Sequence, residues 1–234
     1  MTQLASVPMK IDFVSDVSCP WCVIGLKSLE QALEKVGPAV QAQLHFQPFE
    51  LNPDMAAEGQ DIDEHISQKY GSTPEQMAAN RENIRARGAE LGFIFGPGKR
   101  SRIYNTFDAH RLLHWAGLQD QAAIADSASA GSQQTRRQLA LKEALFSAYF
   151  TDGESPGSHE VLLRAAEQVG LDAADAKAVL KSDQYAAEVR RAERFYQSQG
   201  IHGVPAIIIN DRHLISGGQP PEVFEQALRQ IAAL

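Results

Sequence analysis

The chain has 234 residues, 44% hydrophobic and 22% charged, which is ordinary globular usage and enough for one large domain or one domain with a big insertion. Its 29 acidic against 22 basic residues give a formal net charge of -7, which argues against a nucleic-acid partner and against an anionic membrane surface. No apolar run approaches the ~20 residues of a membrane span, and residues 1–10 lack the features of a secretory signal, so a cytoplasmic location is expected.

In chain order, residues 9–15 read as a strand, with Met9, Ile11 and Phe13 alternating with Lys10 and Asp12. Cys22, Leu26, Leu29, Leu33 and Val36 then recur at steps of four and three, one stripe of an amphipathic helix. Gly37-Pro38 stops it. Residues 43–48 look like a second strand, so the start of the chain is a βαβ unit. From about residue 54 to 200 the pattern is helical. Thr73-Pro74-Glu75-Gln76 has the N-cap, first-position Pro and third-position Gln of a helix start. Further helices are expected over 103–118, 136–150, 158–169, 173–182 and 184–199. Residues 119–134, rich in Ala, Ser, Gln and Gly, suggest a mobile loop or a weak helix. Residues 204–210 form a short β-branched run, Asp211-Arg212 a turn, and residues 213–215 a last strand. Residues 221–234 close the chain as a helix. Strands at both ends and helices between them imply one mixed α/β sheet carrying a helical insertion.

The chain has two cysteines, in Cys19-Pro20-Trp21-Cys22, at the start of the first helix. Residues on one helical turn can bring their sulfurs within bonding distance. Pro20 suits the first helical position, and Cys19 then lies beside unpaired N–H groups and the positive end of the helix dipole, which favour thiolate. Cys19 is therefore the expected nucleophile, and Cys22, one turn in on the apolar stripe, the resolving thiol. A zinc site would need ligands the sequence does not supply at finger spacing, since there is no second CxxC, and no metal site is expected. A purely structural disulfide fits poorly with a reducing compartment.

The second feature is Gly203-Val204-Pro205 at the entrance of a strand. A cis Val204–Pro205 bond would leave the Val204 backbone free to pair with an extended substrate beside Cys19; an ordinary trans Pro at a strand start fits the residues equally.

Taken together, the CPWC motif opening a helix after a strand, and Gly203-Val204-Pro205 before a C-terminal ββα, resemble the thioredoxin superfamily, in its DsbA-like branch. Ser15–Cys22, Pro48–Pro53, Asn105–Leu112 and Ser216–Pro221 are similar to FrnE-like dithiol–disulfide isomerases. The resemblance implies a thioredoxin fold over residues 1–53 and 200–234, with 54–199 an all-helical inserted subdomain packing over the active site. It also implies a cis Pro205 facing Cys19. Related hydroxychromene carboxylate isomerases and kappa-class glutathione transferases carry Ser in place of the first cysteine; this chain keeps both cysteines. Some FrnE-like proteins have a further C-terminal cysteine pair, which this chain lacks.

Ile103, Phe107, His110 and His114 share a face at helical spacing. The resemblance brings that helix near the active site, where His110 would touch substrate or tune Cys19; the plainer reading is two histidines on a partly buried face. Gly218 and Gln219, in Gly217-Gly218-Gln219-Pro220 before the last helix, could hold a carboxylate on free N–H groups, or form a plain turn. Gly96-Pro97-Gly98-Lys99 lacks P-loop spacing and reads as a loop. Trp21 is expected at an exposed edge between the thiols.

These features predict a thiol–disulfide oxidoreductase or isomerase with no tightly bound cofactor. Its substrate would be a disulfide-containing peptide or small thiol, bound beside Cys19 by Pro20, Trp21, Val204, Pro205, His110, Gly218 and Gln219. Glutathione would act as co-substrate, and a homodimer is compatible with the relatives. Two alternatives stand beside this: a glutathione-dependent isomerase or transferase on a small aromatic or polyketide-like substrate, and a metal- or partner-binding module.

Overall fold

The computed structural model describes residues 6–127 and 136–233. The chain opens with β1 (Val7–Ser15), α1 (Pro20–Val36), a 3₁₀ turn at Gly37–Ala39 and β2 (Val40–Pro48). β2 lies parallel to β1, in register from Val7↔Val40 to Ser15↔Pro48. The return from the insertion supplies β5 (Ala206–Ile209), β6 (His213–Ser216) and α9 (Pro221–Ala232). β5 runs antiparallel to β1 and β6 antiparallel to β5, so the strand order is β2-β1-β5-β6. This is the mixed sheet of a thioredoxin fold.

Alternation in β1 sorts its side chains between two faces. Met9, Ile11 and Phe13 join Ile207 and Ile209 in a core shared with Val23, Leu26 and Leu29 of α1 and Phe224 and Leu228 of α9. Val14 and Ala206 point the other way, against Phe49, Tyr196 and Ile201. The polar alternation of Lys10 and Asp12 suggests a wet second face, yet Asp12 is buried, because the helical segment covers it. Its carboxylate is satisfied by Lys10 Nζ at 2.9 Å and Gln47 Nε2 at 2.7 Å.

Between β2 and β5 the chain forms β3 (Gln60–Asp61), α2 (Ile62–Tyr70), α3 (Pro74–Glu90), β4 (Arg102–Ile103), α4 (Phe107–Ser127), α5 (Arg137–Phe146), α6 (His159–Gln168), α7 (Ala173–Lys181) and α8 (Ala186–Ser198). β3 and β4 pair as a short antiparallel ladder, Gln60↔Ile103 and Asp61↔Arg102. Ile103 therefore lies in β4 rather than on the helix, because Asn105 Oδ1 accepts from the Phe107 N–H at 2.9 Å and starts α4 there. α4 carries through residues 119–127 of the Ala/Ser/Gln-rich stretch; residues 128–134 of that stretch lie outside the described residues. The helix expected over 136–150 ends at Phe146 and widens into a π-helical turn, Ser147–Asp152.

Two polar latches fix this segment. Gln138 of α5 pairs with β2, its Oε1 accepting from Phe46 N at 3.1 Å and its Nε2 donating to Phe46 O at 3.3 Å and Leu113 O at 3.1 Å. That covers part of an edge strand that would otherwise offer its backbone to another chain. Arg111, itself buried, donates to the carbonyls of Val179, Ser182 and Gln184, capping the C-terminal end of α7. Among the described residues no helix is long and apolar enough to cross a membrane.

Candidate active site

The turn Asp16-Val17-Ser18 delivers Cys19 to the N-cap of α1, with extended backbone at φ −91 and ψ 113. Pro20 holds the first helical position, as its missing N–H allows. The Cys19 N–H bonds the Asp16 carbonyl at 3.3 Å, and the Cys22 N–H bonds the Cys19 carbonyl at 3.1 Å. Asp16 braces the turn: Oδ1 accepts from Ser18 N at 3.1 Å and Oδ2 from Leu51 N at 2.7 Å. Burial opposes its ionisation, but His110 and those two N–H groups hold its carboxyl down at about 2.

Both thiols are free and they are not equivalent. A hydrogen bond from the Cys22 thiol, helped by the N–H groups of Cys22 and Trp21, draws Cys19 below the ordinary thiol range against burial and the Asp16 charge. Cys22 is wholly buried, and burial first, then the neighbouring Cys19, pushes its thiol well above that range. One sulfur is set to ionise and the other to stay protonated.

Across from Cys19, the Val204–Pro205 peptide bond is cis, and Cys19 Sγ lies 3.5 Å from the Val204 carbonyl. A cleft of about 670 Å³ opens over the thiol. Cys19, Pro20, Trp21 and Val204 form its floor, and Ile62, Ile66, Met77, Ile84 and Ile103 much of its wall. His65, Tyr70, Arg81 and Arg100 add polar groups. Arg100 is held by stacking over Tyr149 and Phe150, 4.8 and 5.0 Å from the ring centroids, and donates to the Ser18 carbonyl at 3.3 Å.

The structure thus gathers Cys19, Cys22, Pro20, Trp21, Val204 and Pro205 at one place. Trp21 is partly buried against the core while lining the cleft, with the Arg87 guanidinium 6.0 Å from its ring. Gly218 and Gln219 stand beside the first turn of α1, outside the cleft lining. A Cβ on Gly218 would come within 2.9 Å of the Trp21 carbonyl, so the close approach requires glycine. Gln219 Nε2 donates to the Ser216 carbonyl at 2.8 Å. His110 is buried beneath the site rather than in the cleft; its Nε2 lies 3.5 Å from Asp16 Oδ1. His114 packs its ring on Tyr185, 5.3 Å between centroids.

Sequence reasoning gave no role to Asp16, Arg100, Lys142 or the apolar wall from α2 and α3. Lys142 carried one usable signal: it sits four residues from both Gln138 and Phe146, on the stripe that α5 buries. Among the described residues no group of three or more His, Cys, Asp or Glu side chains stands together as a metal site.

The family model described as the DSBA-like thioredoxin domain matches residues 10–229. A Bacillus subtilis protein, the uncharacterized YwbO, is 26% identical over 219 residues, covering 93% of this chain and 94% of that one. The crystal structure of a probable DsbA oxidoreductase from Streptomyces coelicolor superposes with a TM-score of 0.82 at 34% identity, over 95% of this chain and 89% of that one. The cytosolic disulfide reductase DsbM from Pseudomonas aeruginosa, solved with GSH, shares the fold at a TM-score of 0.59 and 17% identity, over 96% of this chain and all of that one.

Proposed function

Because this chain belongs to the DsbA-like thioredoxin family, we propose that it exchanges disulfides through Cys19 and Cys22, as a thiol–disulfide oxidoreductase. The observation that carries the reading is the opposed pair of thiols: Cys19 at the helix N-cap with its thiolate favoured, Cys22 behind it with its thiol favoured.

The Cys19 thiolate attacks one sulfur of a substrate disulfide and expels the other as a thiolate. The resulting mixed disulfide is attacked by Cys22, which closes Cys19–Cys22 and releases the second substrate sulfur. Substrate lies in the cleft, against Trp21 and the Val204 carbonyl, and a disulfide-containing peptide or small thiol fits there. Glutathione or another small thiol returns the pair to the dithiol, as befits a reducing compartment. The structural neighbour DsbM was solved with GSH, which supports a small thiol as that reductant.

Equilibration in glutathione buffers of graded potential, with free thiols counted by mass, tests the proposal. A reversible Cys19–Cys22 disulfide with a midpoint between about −120 and −300 mV is expected. Thiols that never pair, or pair irreversibly, would sink it.

The breadth and apolar wall of the cleft favour one further reading, glutathione-dependent isomerisation or transfer on a small aromatic substrate. In that chemistry Cys22 is dispensable. Full turnover of such a substrate by Cys22→Ser would select it.

A further inference from the structure

Cys19 lines the cleft with only 4% of its surface exposed. A disulfide must enter the cleft to meet it, and at about 670 Å³ the space suits a small molecule. The wall of Ile62, Ile66, Met77, Ile84 and Ile103 suits an apolar body. Among the described residues that line the cleft none is Asp or Glu, although the chain carries a net charge of -7. Its ionic side chains are Arg81 and Arg100, joined by His65. The two arginines differ. Arg81 is half-exposed and pairs with Asp63. Arg100 has no carboxylate partner among the described residues: its Nη2 donates to the Ser18 carbonyl at 3.3 Å, one residue before Cys19, and its Nε is buried without a hydrogen-bond partner. The rings of Tyr149 and Phe150 hold its guanidinium in place. Asp16, in the same turn, is already committed to the Ser18 and Leu51 N–H groups. The unrelieved positive charge is felt nearby, where burial first, then Lys69 and Arg100, hold His65 below the ordinary imidazole range.

A guanidinium with unspent donors in a partly closed, apolar cleft is a seat for a carboxylate. We propose that Arg100 is a specificity-determining residue: the disulfide that Cys19 opens is a small acid with an apolar body, and the Arg100 guanidinium holds its carboxylate. This rests on the dithiol exchange proposed above and adds no chemical step to it. The carboxylate stays intact. Because Arg100 is anchored to the residue before Cys19, holding the carboxylate places the disulfide beside the thiolate, while the isoleucine wall takes the body of the molecule. Of the substrates that fit the cleft, this narrows the choice to the small kind.

The test compares the rates of the full chain with 5,5′-dithiobis(2-nitrobenzoic acid) and with its neutral carboxamide, each divided by the rate of that disulfide with dithiothreitol. The wild-type chain should prefer the acid by about 10- to 100-fold, and Arg100→Gln should bring the two to parity. Arg100→Lys, which keeps the charge, should retain part of the preference. Glutathione disulfide, acidic but without an apolar body, should trail the aromatic acid. Wild-type parity, a preference that survives in Arg100→Gln, or glutathione disulfide opened equally well overturns the proposal. So does a matching fall in iodoacetamide alkylation of Cys19 in Arg100→Gln, which would put the effect of the arginine on the thiolate. A wild-type chain that opens none of the three disulfides counts against dithiol exchange itself. Should Arg100→Gln fail to fold, protection of the wild-type chain decides. Cyclohexanecarboxylate should shield Cys19 from iodoacetamide, and cyclohexanecarboxamide should not. Equal shielding by both, or by neither, overturns the proposal.

Discussion

The two sulfurs differ by a single turn of helix, and that difference is testable directly. Cys19 caps α1 and lines the cleft, while Cys22 lies inside with its thiol held protonated. Only thiolate alkylates, so iodoacetamide should modify Cys19 alone in the folded chain, with a half-point below the ordinary 9.0. Mass mapping after brief alkylation at pH 7 checks this, and Cys22 modified at a comparable rate would contradict it. These two residues were legible because their chemistry is compressed into four adjacent positions. Asp16 and Lys142 were not. A carboxylate in a turn and a lysine on a helix read as solvated, since both usually are. Only the packing of α5 against β2 and α1 shows that Lys142 lies on the buried stripe with Leu141, Leu145 and Phe146.

At the scale of elements, the sheet was readable from period-two runs, and most helices from caps and stripes. Thr73 illustrates why: its side chain accepts from Gln76 N at 3.3 Å while Gln76 Oε1 accepts from Thr73 N at 2.9 Å, a complete capping box. Thr73→Ala should cost about 1 kcal/mol of stability, measured by denaturant unfolding. Because α3 carries Met77 and Ile84 of the cleft wall, the same substitution should loosen substrate binding more than it slows Cys19 alkylation. The short β3–β4 ladder and the π-helical end of α5 left no such local mark. They arise from contacts between distant segments, as where the Tyr149 hydroxyl donates to the Arg102 carbonyl at 2.8 Å.

At the scale of the molecule, the helical segment is tied to the sheet by a charged knot. Glu50, just after β2, and Glu193 on α8 both pair with Arg190, whose guanidinium lies 3.8 Å over the Phe107 ring of α4. Burial, then the Glu193 charge, raises Glu50 to about 7 against the pull of Arg190. A carboxyl that is a weaker acid folded than unfolded stabilises the fold fully below its unfolded value of 4.5. That contribution is lost as pH rises through about 7. Melting temperature should therefore fall over that window, and Glu50→Gln should flatten the slope; an unchanged slope would show that the knot does not titrate. Asp16, held at about 2, acts in the opposite sense and only at lower pH. The tie between remote parts of the chain also has a history. Cys19 meets the Val204 carbonyl across 185 positions, and β1 waits for β5 to complete the sheet. On a ribosome adding about 5–20 residues per second, that gap lasts roughly 10 to 40 s. For that interval the nascent chain carries its reactive sulfurs on an unfinished scaffold, open to any passing oxidant. The two thiols are thus made well before the carbonyl that faces them.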